Sequence, residues 1–174
     1  MVDEPAEVTI RPATVDDAEE IARVHVASWR QAHTGVVAEE YLSHLDVSGR
    51  AERWRATLVG SADPPTQVWV AEDEGRVIGF ASLGPSLDED AERSTMQIYT
   101  IYLEPHAWGR GVARELMRTV VAGVPAGAPV TLWVLAGNER ARHFYRRNGF
   151  SPDGVERLDE IGGQQYRELR YRRG

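Results

Sequence analysis

Cysteine is absent from the 174 residues, which excludes disulfide scaffolds, thiol nucleophiles, zinc fingers and iron–sulfur sites. Lysine is absent too. All 20 basic residues are arginine, so no side chain here forms a Schiff base. No stretch approaches the length of apolar sequence that spans a bilayer, and the opening Met1 to Pro12 lacks both a basic and an apolar leader segment. Neither a membrane span nor a secretory signal is expected, and a cytoplasmic protein is. Twenty basic against 27 acidic residues leave a net charge of -7. Sequence-independent nucleic-acid binding needs a basic face and is not expected. What is present is a hydrophobic fraction of 42%, ample for a core. A chain of this length buries about 70% of its unfolded surface, so residues 1–174 read as one domain that needs no metal.

Hydrophobic periodicity divides the chain into alternating element types. Glu7 to Arg11 reads as a short strand closed by Pro12. Thr14 reads as the N-cap of a helix reaching about His33, with Asp16 and Asp17 in its first turn and Ile21, Ala22, His25 and Trp29 on one face. Two shorter helical patterns follow, Ala38 to Leu45 and Ser48 to Leu58. Val68 to Glu72 and Arg76 to Leu83 alternate as strands around the turn Asp73-Glu74-Gly75. Leu87 to Glu92 reads as a solvated acidic loop and Met96 to Leu103 as a strand. Helices are expected over Val112 to Ala122 and Glu139 to Asn148, flanking a strand Val130 to Leu135. Two strands around Gly162-Gly163 complete a mixed α/β chain.

Two segments carry chemistry. Trp108-Gly109-Arg110-Gly111-Val112-Ala113 joins a strand to a helix, and its glycines let backbone approach a ligand where free helix N–H groups suit a phosphate. It lacks the further glycine of a dinucleotide site and the G-K-[ST] of a P-loop. Alone, it reads first as a plain αβ connection with turn glycines. Asn138 to Phe150 starts a second helix after a strand, with Ala141, Phe144 and Tyr145 at helical spacing, and alone Tyr145 reads as a core aromatic.

Together these segments resemble the GNAT N-acetyltransferase superfamily. Its first motif, Q/R-x-x-G-x-G/A, is matched by Trp108 to Ala113 except at Trp108. Its second, N-x-x-A-x-x-F/L-Y-x-x-x-G-F, is matched from Asn138 to Phe150 at every named position. The order of the remaining elements extends the resemblance over nearly the whole chain. It implies a twisted mixed sheet of about seven strands with about four helices, split between the fourth and fifth strands, where acetyl-CoA lies. Ile101 and Leu103 would pair with the pantetheine arm, and backbone N–H groups of Gly109, Arg110, Gly111, Val112 and Ala113 would hold the pyrophosphate. Asn138 would bond to the pantetheine, and Tyr145 would lie by the thioester sulfur. No metal is implied.

Acetyl transfer to an amine needs a neutral nitrogen, polarisation of the carbonyl and a proton for the departing thiolate. Tyr145 is the natural donor. Several branches of the family place a Glu base where this chain has Gln97, so Tyr99, His33 and Glu40 are the remaining candidates, each with a plainer reading as packing or surface polarity. Trp29, His33, Gln97 and Tyr99 are the expected acceptor-side residues. Glu39, Glu40, Glu156, Asp159 and Glu160 would suit a cationic amine or form a solvated rim. The expected partner is a small-molecule or peptide amine, with a homodimer compatible with the chain; protein or peptide N-terminal acetylation and a non-catalytic acyl-CoA-binding regulatory module are the alternatives.

Overall fold

A computed structural model describes residues 8–174. The first strand, β1 (Thr9–Pro12), includes the proline expected to close it; an edge strand tolerates proline because its missing donor faces no neighbour. Glu7 lies outside the described residues. A short 3-10 turn, Val15–Asp17, leads into α1 (Ala18–His33). There the Thr14 N–H donates to Asp17 Oδ2 at 2.8 Å, and Arg11 clamps the same carboxylate. Helices α2 (Glu39–Ser43) and α3 (Val47–Ala56) follow. The carboxylate of Asp46 caps α3 by accepting from the N–H groups of Ser48 and Gly49.

The remaining elements are β2 (Gln67–Asp73), β3 (Arg76–Pro85), β4 (Met96–Leu103), α4 (Val112–Ala122), β5 (Val130–Leu135), α5 (Glu139–Arg147), β6 (Ser151–Ile161) and β7 (Gln164–Arg173). The seven strands form one mixed sheet in the order β1-β2-β3-β4-β5-β7-β6. The described residues hold five α-helices, with the two short ones, α2 and α3, lying in the connection between α1 and β2 as the sequence pattern indicates. None of the helices is long and apolar enough to cross a membrane.

The sheet is split where expected. β4 and β5 run parallel but pair only through Met96–Val130 and Gln97–Thr131. The reason lies in β4. Ser82 faces Thr100 while Leu83 faces Ile98, so Tyr99 is an extra residue that β3 does not match. Such a bulge bends its strand and increases the twist, and it carries Thr100 to Leu103 away from β5. The Tyr99 ring folds back over Gly84, where a Cβ would lie 2.5 Å from the phenol oxygen, and the phenol donates to the Pro85 carbonyl. Gly84 thus permits the close approach that stabilises the bulge.

Helices cover both faces. Leu116, Met117 and Val120 of α4 pack with Ala71, Leu83 and Ile98 on one. Ile21 and Val24 of α1 pack with Val68, Val70 and Phe80 on the other, and further along that face Val26 and Leu135 join α2 and Ile161. The β3–β4 connection is exposed at Leu87, Glu89, Asp90 and Glu92, as expected of a solvated loop, but two of its carboxylates are also anchored. Asp88 and Asp90 both bind the buried Arg170 of β7, at 3.3 and 2.6 Å, and Asp88 also accepts from the Trp133 indole at 3.0 Å. Asp153 completes the shell around Arg170 at 2.6 Å. Asp88 and Asp90 thus pin the loop across β5 and β7 through Trp133 and Arg170.

Acid should weaken this fold through α1. His25 sits among Trp54, Phe80 and Tyr102, with Tyr102 stacked on it at 5.1 Å between ring centres. Burial, reinforced by the Arg50 charge, pushes its pKa down to about 3, whereas an unfolded histidine titrates near about 6.5. The unfolded chain therefore binds the proton first. Stability is intact above about pH 6.5 and falls by up to about 1.4 kcal/mol per pH unit as pH drops towards the folded-state pKa. Burial lowers the pKa of His33 in the same sense. Denaturant melts at pH 7.5 and 5.0 should show this loss, and His25→Gln should reduce it; an equal loss in the variant would locate the acid sensitivity elsewhere.

Candidate active site

A cavity of about 780 Å³ opens at the split. Its walls include Ile101, Tyr102 and Leu103 from β4 and Trp133, Val134 and Leu135 from β5. Because β5 no longer pairs with β4 there, the backbone of Ile101 to Leu103 has no strand neighbour on that side. It is available to an extended ligand by strand addition.

At one end the turn before α4 enters the cavity through Gly109, Gly111 and Ala113. Gly109 and Gly111 have φ of 78° and 80°, the left-handed region that L side chains rarely adopt, and a Cβ on either would meet nothing within 4 Å. Gly111 is the N-cap of α4, so free N–H groups and the positive end of the helix dipole adjoin open space. Arg110 instead turns out to Asp73, at 3.0 Å, and the Val112 side chain is buried in the core. Their backbone N–H groups still belong to the turn. Trp108, the one departure from the first motif, lines the cavity with Arg140 stacked 3.9 Å above its ring.

Asn138 and Tyr145 reach the cavity from α5. The Asn138 side-chain oxygen caps α5 by accepting from the Ala141 N–H at 3.2 Å, which leaves its NH2 as the group able to donate to a ligand. Tyr145 is buried, its ring edge-on to Phe150 and Tyr171. Burial, with the nearby Tyr102 phenol, holds its hydroxyl pKa well above the ordinary phenol range, so the proton stays on the oxygen at neutral pH.

From the opposite side α1 supplies Trp29 and His33. The Trp29 indole donates to the Tyr102 hydroxyl at 3.1 Å, and His33 Nδ1 lies 3.1 Å from the Trp29 carbonyl. Gln97 and Tyr99 are not among the lining residues. Gln97 is buried and its side-chain oxygen accepts from the Leu87 N–H; Tyr99 is spent on the bulge. Glu40 is exposed on α2. Sequence reading missed Glu168, a buried carboxylate in the cavity wall. Its local pattern, between arginines in a polar terminal strand, gives no sign that it faces inward.

The Acetyltransferase (GNAT) family model matches residues 22–150, most of the chain. The chain belongs to the GNAT acetyltransferase family. YuaI of Bacillus subtilis, an uncharacterized N-acetyltransferase, is 31% identical to this GNAT protein over 93% of this chain and 90% of its own. The peptidyl-lysine N-acetyltransferase YjaB of Escherichia coli is 26% identical over 89% and 90%. Among solved structures, the PaiA N-acetyltransferase of Thermoplasma acidophilum, crystallised with coenzyme A, superposes with a TM-score of 0.73 at 19% identity, covering 96% of this chain and 98% of that one. The fold is the GNAT fold and the protein is an N-acetyltransferase.

Proposed function

We propose that this GNAT enzyme transfers the acetyl group of acetyl-CoA directly to a primary amine of a small molecule, with Tyr145 as the proton donor. The observation that carries the reading is the cavity through the β4–β5 split, with an open glycine turn at one end and a neutral buried phenol in its wall. The residues fit acetyl-CoA. Gly109 and Gly111 leave room for a pyrophosphate against α4, and the unpaired edge of β4 matches the amide-bearing pantetheine arm. The coenzyme A in the PaiA complex supports the same assignment. Acetyl-CoA supplies an activated acyl carbon; the chain supplies orientation along β4, backbone donors and the Tyr145 proton.

The peptidyl-lysine acetyltransferase named among the relatives favours a second reading, in which the amine belongs to a lysine side chain of a peptide. Thiol release from acetyl-CoA, measured against simple primary amines and a lysine-containing peptide, separates the two. Amine-dependent release with the small amines and not the peptide is the expected result. Failure of acetyl-CoA to bind by calorimetry would overturn both readings.

A further inference from the structure

The cavity passes through the sheet and so has two distinct sides. On β5, Val134 belongs to the core under α4 and α5, which also contains Tyr145. Its neighbour Leu135 belongs to the core under α1 and α2, because successive strand residues face opposite ways. Glu168 is the registered partner of Leu135, and Leu169 that of Val134. Cross-strand partners share a face, so Glu168 lies on the α1 face with Trp29 and His33. Tyr145 lies on the other. Both line the one cavity.

Glu168 is 8% exposed, and burying a carboxylate costs free energy unless it is paired or used. Its pairing is partial. Arg157 Nε donates to Oε1 at 3.0 Å, but that arginine side chain is 45% exposed and also lies over the Trp133 ring at 4.1 Å. The groups facing Glu168 are Arg157 and Asp159 from β6, with Tyr102 of β4, His33 of α1 and Tyr145 of α5 around the same cavity. Burial, with the Asp159 carboxylate adding to it against the opposing Arg157 charge, raises the Glu168 pKa. A raised carboxyl is the more basic carboxyl. Aromatic faces complete the surroundings, since Trp29, Tyr102 and Trp133 line the cavity with it. A carboxylate among aromatic rings recognises an ammonium head on an apolar stem.

Resting on the acetyl-CoA reading above, we propose that Glu168 binds the acceptor's ammonium group and then takes its proton, so that the acceptor is a cationic primary amine entering from the α1 face. One proton passes from the ammonium to the Glu168 carboxylate. The nitrogen lone pair then forms the C–N bond to the acetyl carbon, the C–S bond breaks, and the thiolate takes the Tyr145 proton. The nitrogen, which then carries two protons, loses one to water and keeps the other as the amide N–H; Tyr145 is reprotonated from water, and Glu168 returns its own proton to water. The split lets the two proton-handling groups work from opposite sides of the sheet.

The test begins with protein saturated with free coenzyme A, which carries no acetyl group, titrated calorimetrically with n-butylammonium and 2-phenylethylammonium at pH 7.5. Binding of at least one is expected, weakened about tenfold or more in Glu168→Gln and largely kept in Glu168→Asp. With whichever amine is acetylated, kcat/KM for Glu168→Gln should fall about 10²-fold and lose the acid limb that the native pH profile shows. The Gln variant should melt no lower than the native protein, because water can solvate the exposed Arg157 and a raised carboxyl pKa marks a charge the fold disfavours. Failure of coenzyme A to bind would overturn the acetyl-CoA reading. Bound coenzyme A with neither ammonium binding, ammonium binding unchanged in Glu168→Gln, or an acid limb that persists there and vanishes in His33→Gln would overturn the role of Glu168 alone.

Discussion

Gly111→Val should abolish acetyl-CoA binding and leave a folded protein. Two effects act together at this position. The backbone sits at φ 80°, and a β-branched residue held there costs about 1–3 kcal/mol, so the turn relaxes and its N–H groups no longer converge. The added side chain also projects into space that the protein leaves open, which is the space assigned to the pyrophosphate. Because nothing beyond the adjoining chain lies within 4 Å of the new Cβ, the clash expected of the added side chain is with the ligand. A domain stabilised by about 5–15 kcal/mol survives the backbone strain. Calorimetry with acetyl-CoA should show no measurable heat, while circular dichroism shows a cooperative melt at a modestly lower temperature. Unchanged affinity would remove the turn from the binding site.

Tyr145→Phe should lower kcat by about 10²–10⁴, the usual cost of deleting a general acid, with acetyl-CoA affinity nearly unchanged. The substitution is conservative for packing, since the ring edges against Phe150 and Tyr171 stay in place and only the hydroxyl goes. Tyr145 lines the cavity, and its hydroxyl keeps its proton at neutral pH. Steady-state kinetics with calorimetry on the same preparation separates the alternatives. Equal losses in rate and affinity would make Tyr145 a packing residue, and full activity would remove it from the mechanism.

The elements that could be read from the sequence are those whose signals are local. Thr14 with Asp17, the alternation on either side of Glu74-Gly75, and the helix ending near Gly149 each follow from residues a few positions apart, and each stands within a residue or two of its expected place. The family, and with it the mixed seven-stranded sheet, followed from two short motifs because backbone approach to a ligand and a cavity-facing phenol require particular residues at fixed spacing. Pro12 was misread, and the anchoring of the exposed 87–92 loop went unseen, for the opposite reason. Whether a proline falls on a free edge depends on strand order, and what Asp88 and Asp90 bind depends on Arg170 about 80 residues away.

What the sequence by itself determined, then, is the set of residues that meet through their own helix or turn: Gly109 to Ala113, Asn138 and Tyr145. Only the tertiary structure decided which side chains share the far wall of the cavity. Gln97 was the natural acceptor-side residue by position along β4, yet its amide is consumed by the Leu87 N–H. Glu168 carried no local signal, and it enters the cavity because register with Leu135 fixes its face and the Tyr99 bulge opens the sheet beside it. Register and bulges are relations between strands distant in the chain, so a single residue's neighbours in sequence do not encode them.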